Sequence, residues 1–467
     1  MTIRGILMMT RWSPVLDRSD AAPLYRQLVD AMAADIANGR LPADTRLPPH
    51  RELAHALSIS VGAVSRAYGE ATERGLIAGH VGRGTFVIDR SPATTDTGPI
   101  DLTINLAPIN ADDAVLEALS ALRRRPALVD RLGYQSTCGL NRDRQAAAAW
   151  LSRTANLQRI GWQTVICCSG AQNAMAIALT ALCAPGDPVL CEAATFPGAK
   201  ALASQLGHPL RGVEMDAEGA TPQALDRAAA ETGARLFYTL PTLQNPTARM
   251  MGLERRAEIV RVARARGLWL IEDDVYAPYA RHLDVPPLAA LAPERTIYVS
   301  SLSKIVAPGL RAGFLVAPTG EVFDRCARAM RALMHSPAGI NSAVTTQLIE
   351  SGRADEIASA AMAETRLRTS RALAVLGDVI DKPRSDASLH VWLPMPEINA
   401  ERAAARASYA GIRLTSPAAF AVANGAVESG LRLCVGSVAS GLVLERALIV
   451  LRGILMDEHA DHEHGVI

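Results

Sequence analysis

At 467 residues the chain has room for two or three domains, each with its own core. The formal charge of +1 hides no strong asymmetry: residues 1–90 hold 11 Arg against 9 acids and the remainder 37 basic residues against 38, so bulk electrostatics alone identifies no nucleic-acid binder. No uninterrupted run of about 18 apolar residues occurs, which excludes a transmembrane helix, and the odd set of cysteines without CxxC spacing (Cys138, Cys167, Cys168, Cys183, Cys191, Cys326, Cys434) points to buried thiols in a reduced, cytoplasmic protein.

Residues 1–20 read as an N-terminal extension without an assigned role. The stretch Gly5 to Met9 between Arg4 and Arg11 is too short for a secretory apolar region, and Met8 and Met9 offer alternative starts. Residues 21–88 form a compact unit. Leu24, Leu28, Met32 and Ile36 recur every four residues and stop at Asn38-Gly39, which predicts an amphipathic helix. Arg51 to Leu57 predicts a second helix, Ser58-Ile59-Ser60 a turn with Ser60 as N-cap, and Val61 to Arg74 a third helix ending at Gly75. Val64, Tyr68 and Ala71 share its inner stripe, leaving Ser60, Gly62, Ala63 and Arg66 outside. Leu76-Ile77 and Thr85 to Ile88 then read as two strands around Gly82-Arg83-Gly84.

Two helices joined by a short turn and followed by a β-ribbon make a winged helix-turn-helix. Pro23-Leu-Tyr-Arg-Gln-Leu, Arg46-Leu-Pro-Pro-His-Arg51-Glu-Leu-Ala, Arg74-Gly-Leu-Ile and Val81-Gly-Arg-Gly-Thr-Phe-Val resemble the GntR family. The resemblance implies binding to a double-stranded DNA operator, with Arg51 and Ser60 on phosphates, the start of the third helix (Gly62, Ala63, Arg66) toward bases and Arg83 on the wing. Val61 stands where family members often carry arginine, which shifts weight to Arg66.

Residues 89–100, polar and containing Pro and Gly, read as a linker. From 101 to 456, short apolar strands alternate with Ala-rich helices, the pattern of an α/β domain with a mainly parallel sheet. Val165-Ile-Cys-Cys168 leads into Ser169-Gly170-Ala171-Gln172 and a helix start, which presents backbone N–H groups to an anion. Phe196 follows another strand and offers a face for stacking a flat ring. Phe237 to Leu240 leads to the amide of Asn245, and Leu268 to Ile271 ends in Glu272-Asp273-Asp274-Val-Tyr276, at the carboxyl edge where α/β proteins bind ligands. A buried Asp273 needs a cationic partner.

Only three basic residues are lysines: Lys200, Lys304 and Lys382. Lys304, in Ser301-Leu-Ser303-Lys304 with Arg311 seven residues on, stands where an amine rather than a mere positive charge is needed, since a guanidinium cannot condense with a carbonyl.

These pieces together resemble the fold-type-I enzymes that use pyridoxal 5'-phosphate (PLP), with a smaller C-terminal α/β subdomain. The resemblance makes Lys304 the internal aldimine and catalytic lysine, Asp273 the partner of the pyridine nitrogen, Tyr276 and Asn245 the donors to the ring oxygen, and Phe196 the stacking ring. It assigns the phosphate to Ser169, Gly170, Ala171, Gln172, Ser301, Ser303 and Arg311, a substrate carboxylate to Arg432, and to Tyr134 a place beside the cofactor of a second subunit in a homodimer. Ala248, where that family prefers Gly, and Asp143, where it prefers an apolar residue, depart from its pattern. Joined to the GntR-like head, the whole resembles the MocR-type transcriptional regulators. That implies an amino compound or PLP itself as effector, read through aldimine exchange at Lys304; an aminotransferase of EC 2.6.1 type with a secondary head is the alternative. Residues 457–467, with His459, His462 and His464 among acids, read as a disordered tail rather than a metal site.

Overall fold

A computed structural model of the protein describes residues 12–18, 22–37, 40–41, 45–80, 84–87, 98–123, 126–158, 160–422 and 429–463. The chain divides into two units, Met1–Gly98 and Pro99–Ile467.

The first unit packs α1 (Leu24–Ala37), α2 (His50–Leu57) and α3 (Val61–Glu73) beside an antiparallel ribbon of β1 (Ile77–His80) and β2 (Gly84–Val87). α3 starts where expected because the Ser60 hydroxyl accepts from the Ala63 N–H at 3.1 Å, satisfying one of the donors a helix start leaves open. Val64, Ala67, Tyr68 and Ala71 bury in one cluster with Leu28, Met32 and Leu53. Part of the N-terminal extension belongs here too: Trp12 is buried in that cluster and its indole N–H donates to Asp35 at 2.9 Å. The expected helix stop at Asn38-Gly39 and the wing tip with Arg83 lie outside the described residues.

The second unit is built on a seven-stranded sheet. Its strands are β4 (Val165–Cys168), β5 (Val189–Glu192), β6 (Leu210–Val213), β7 (Leu236–Thr239), β8 (Trp269–Asp273), β9 (Thr296–Ser301) and β10 (Gly313–Val316), in the order β4-β10-β9-β8-β7-β5-β6. All neighbours are parallel except β10, which runs antiparallel to both β9 and β4. Helices cover both faces, so the strands are buried on both sides and read as continuous apolar runs. Side-chain alternation sorts the two cores: Cys191, Tyr238 and Ile271 pack into one cluster and their neighbours Leu190, Phe237 and Leu270 into the other.

A smaller subdomain pairs β11 (His390–Pro394) antiparallel with β13 (Gly430–Cys434) under the helices Arg353–Leu376, Glu397–Tyr409 and Gly441–Glu463. It also recruits β3 (Ile100–Asp101), which pairs in parallel with β12 (Ile412–Arg413). The expected linker of residues 89–100 therefore runs one residue too far, because Ile100 is already a strand residue of this subdomain. The last helix likewise takes in residues 457–463, which were expected in a disordered tail.

Both departures from the family pattern are accommodated. Asp143 is buried, with its carboxylate paired to Arg131 and accepting from the Thr346 hydroxyl at 2.7 Å. Ala248 has φ 57°, the left-handed conformation in which glycine is at ease.

Candidate functional site

The register Cys168–Gly313–Ser301 across β4, β10 and β9 sets three strand ends side by side. Beyond them, at one edge of the sheet, Ser169-Gly170, Arg311-Ala312 and the turn Ser301–Lys304 converge. Gly170 (φ 86°) is the N-cap of α4 (Ala171–Leu182), and a Cβ there would come within 2.6 Å of the Arg311 guanidinium. Gly313 is fixed for a similar reason: its Cβ would lie 2.6 Å from Gly170 Cα. The Ser301 hydroxyl lies 2.8 Å from that of Ser303 and accepts from the Ser303 N–H. The corner thus combines a helix start, two hydroxyls and an exposed guanidinium, the inventory for a phosphate.

Ala171, Gln172, Ser301, Ser303 and Arg311 line a cavity of about 340 Å³ together with Phe196, Asn245, Asp273, Tyr276, Lys304 and Arg432. Ser169 and Gly170 are not among its lining residues; the Ser169 carbonyl accepts from Arg311 at 3.4 Å. Phe196 is half-buried, and Gly198 beside it must be glycine because a Cβ would meet the Phe196 ring at 2.4 Å.

At the other end, alternation along β8 sends Asp273 and Glu272 to opposite faces. Glu272 accepts from the N–H groups of Leu288 and Ala289, both at 2.8 Å. Asp273 accepts from Tyr238 OH at 2.8 Å through one oxygen, while its second oxygen is buried without a partner. Burial pushes this carboxyl up to about 6 against the opposing Tyr238 hydrogen bond. An orphaned buried carboxylate oxygen at the end of a flat-ring slot fits a protonated pyridine nitrogen.

Lys304 Nζ donates to the Asn105 carbonyl at 2.7 Å, and burial lowers its affinity for a proton, as a nucleophilic amine requires. Tyr276 OH accepts from the Asn105 amide at 3.0 Å. Arg432 is tied up: its guanidinium donates to Asn245 Oδ1 at 2.8 Å and to the Thr103 carbonyl at 2.5 Å, and lies 4.9 Å from the Phe420 ring centroid. Because Arg432 occupies the oxygen of Asn245, the Asn245 NH₂ remains as the donor expected of it. The donor set, the orphaned carboxylate and the corner formed by Ser301, Ser303 and Arg311 together fit PLP.

Tyr134 stays away from this cavity. It is 92% exposed and packs edge-on against His335 with ring centroids 4.9 Å apart. Asn105, His390, Tyr238 and Thr103 were missed by sequence reasoning; only Tyr238, on the strand leading to Asn245, sat in a stretch already under scrutiny. Among the described residues, no group of three or more His, Cys, Asp or Glu residues is placed to hold a metal ion.

On the first unit, Arg51 and Gly62 are exposed and Ala63 is half-buried. A Cβ at Gly62 would meet only Ser60 Oγ, at 3.9 Å. Arg66 is exposed, but its guanidinium stacks over the Tyr25 ring at 4.2 Å.

The chain belongs to the aminotransferase class I and II family, whose model matches residues 97–444, and the model of the bacterial regulatory proteins of the gntR family matches residues 24–87. Both domains recur along nearly the whole length of a relative: the chain is 27% identical over 455 residues to the uncharacterized HTH-type transcriptional regulator YdeF of Bacillus subtilis (strain 168), covering 96% of this chain and 97% of that one. It is 26% identical to the probable rhizopine catabolism regulatory protein MocR of Rhizobium meliloti, over 72% of this chain and 74% of that one. The domain pair is therefore that of the MocR-type regulators. In fold, an archaeal alanine:glyoxylate aminotransferase superposes with a TM-score of 0.70 at 21% identity, over 85% of this chain and 95% of its own.

Proposed function

We propose that this protein is a PLP-binding, DNA-binding transcriptional regulator whose aminotransferase-like domain senses an amino compound, or PLP itself, at Lys304. The observation that carries the reading is the presence on one chain of a Ser60-capped helix with an exposed start and a cavity whose lining fits the cofactor. It acts in the cytoplasm as a homodimer, in which the exposed Tyr134 reaches the cavity of the second subunit.

PLP supplies, when bound, an aldehyde that condenses with amines and a pyridinium that withdraws electrons. Asp273 would anchor the ring nitrogen, Arg311 would supply the counter-charge and the Ser301 and Ser303 hydroxyls hydrogen bonds to the phosphate, and Asn245 and Tyr276 would hold the ring oxygen. Arg432 receives the effector's carboxylate in a bidentate fork. A carboxylate outcompetes an amide oxygen and a carbonyl for a guanidinium, since charge-assisted hydrogen bonds are roughly twice as strong as neutral ones.

The sensing step follows from what the two cations hold beforehand. Arg432 grips the Thr103 carbonyl and Lys304 the Asn105 carbonyl, both on the stretch that leaves the first unit at Gly98. An effector carboxylate on Arg432 would release the Thr103 carbonyl while exchange sets the Lys304 amine free, so the bonding of residues 103–105 changes beside β3, which stays paired with β12. Each released carbonyl costs about 1–3 kcal/mol unless re-paired, the same size as a typical allosteric coupling energy of about 1–3 kcal/mol.

Hydrogen exchange of residues 98–105 tests this: faster exchange on adding PLP with an amino acid is expected, and unchanged exchange removes the coupling. Fluorescence anisotropy with DNA from the gene's upstream region tests the regulator reading. The intact set Lys304, Asp273 and Arg432 favours the aminotransferase alternative as well. Multiple turnovers of an amino acid by a protein without DNA affinity would establish that alternative.

A further inference from the structure

We propose that His390 is a positioning residue that fixes the orientation of the Asn105 amide and, through it, the direction in which the Tyr276 hydroxyl offers its hydrogen. His390 lies on β11, and its ring centroid is 5.5 Å from that of Tyr276. Its Nε2 is 2.9 Å from the Gln244 carbonyl, which can only accept, so the ring hydrogen sits on Nε2 and Nδ1 keeps a lone pair. That lone pair accepts only a donor, and 2.9 Å away it meets the nitrogen end of the Asn105 amide. The second hydrogen of the same NH₂ goes to Tyr276 OH at 3.0 Å.

The chain of donors therefore has one direction, from Asn105 outward to both His390 and Tyr276. The Tyr276 oxygen accepts, and its own hydrogen is left to point into the cavity, toward a ring oxygen bearing negative charge. Reversing the amide would put Oδ1 against the Nδ1 lone pair and repel it. Burial pushes His390 down to about 3, so the ring keeps this neutral tautomer across the physiological range. Oδ1 of Asn105 has no partner; an amide left half-satisfied in a buried site is held by something other than its own best bonding, and His390 supplies that constraint.

The inference rests on the reading of the cavity as a PLP site, and the experiment separates the two. The full-length protein is loaded with PLP, and both the dissociation constant from fluorescence quenching and the pH midpoint of the cofactor's visible absorbance are measured for wild type, His390→Phe, His390→Gln, Asn105→Ala and each combined with Tyr276→Phe. Wild type giving no visible band ends the cofactor reading itself.

With the band present, His390→Phe and Asn105→Ala are expected to weaken PLP about fivefold, the value of one hydrogen bond, and to shift the midpoint by roughly half a unit or more. His390→Gln, which offers an acceptor and a donor in similar places, restores both. In the Tyr276→Phe background the His390 and Asn105 substitutions add no further shift. An unshifted midpoint in Asn105→Ala, or an undiminished shift without the Tyr276 hydroxyl, overturns the proposal. Asn105→Ala decides the matter even where His390→Phe does not fold.

Discussion

The two units place their working residues in opposite physical settings. In the first, Arg51 and Gly62 lie exposed, supported by a helix cap at Ser60, a stack of Arg66 on Tyr25 and hydrogen bonds from the Tyr68 hydroxyl to the Pro48 carbonyl and between His50 and Ser65. In the second, Asp273, Tyr276, Asn245 and Arg432 are buried and bonded to one another or to groups such as Tyr238, Asn105 and Thr103. Exposed groups can change without disturbing the fold, so recognition can drift in the head at little cost. Buried polar groups held ready for a ligand instead oppose stability, because the protein carries unsatisfied atoms until the ligand arrives.

The largest effect that would break this contrast is at Lys304. Lys304→Ala is expected to abolish the visible absorbance PLP acquires when carried on a lysine, read by a simple spectrum, while leaving effector-free DNA binding intact by anisotropy. Loss of both would mean that the two units cannot be perturbed separately.

Asp273→Asn probes the opposition between function and stability. The carboxyl is raised from 3.8 to about 6 in the folded protein. Between those values the native state binds more protons than the unfolded one, so its stabilising share is complete below about pH 4 and is lost as pH rises through 6. The neutral variant without cofactor should be more stable than wild type at pH 8, by up to about 3 kcal/mol, with the gap closing near pH 4. Thermal melts across that range check it, and PLP affinity should fall in the same variant. In the head, Ser60→Ala removes one cap bond and should cost about 1 kcal/mol in the melting of that unit, with PLP absorbance unchanged.

What could be read from residues alone follows the same division. Strand ends such as Ser169, Asp273 and Ser301 announce themselves, because a parallel sheet brings its carboxyl ends to one edge and the polar residue follows the apolar run directly. Asn105 and His390 give no such sign. Asn105 lies 199 residues before Lys304 and reaches it only because β3 joins a subdomain otherwise built from residues after 352. His390 opens a strand whose partner is 40 residues on, so its meeting with Tyr276 is set by long-range packing that no local pattern encodes. Asp143 departs from the family pattern in sequence, and its partner Arg131, on a separate element, is set by packing.

The smallest effect sharpens the contrast within the second unit, between two left-handed positions. Gly170 (φ 86°) faces the Arg311 guanidinium, so Gly170→Ala combines backbone strain with a collision at 2.6 Å and should weaken PLP at the phosphate corner. Ala248 (φ 57°) already bears the methyl group, is 1% exposed, and donates its N–H to the Gln244 carbonyl at 2.6 Å. For Ala248→Gly, relief of about 1–2 kcal/mol of left-handed strain is offset by about 0.8 kcal/mol for a lost buried methyl and about 0.5–1 kcal/mol of backbone entropy. The three nearly cancel, so a melting shift within about 2 °C is expected. A large loss of stability would show that the Ala248 methyl packs in a way no glycine can replace, and that the left-handed backbone here is held by contacts rather than tolerated despite its strain.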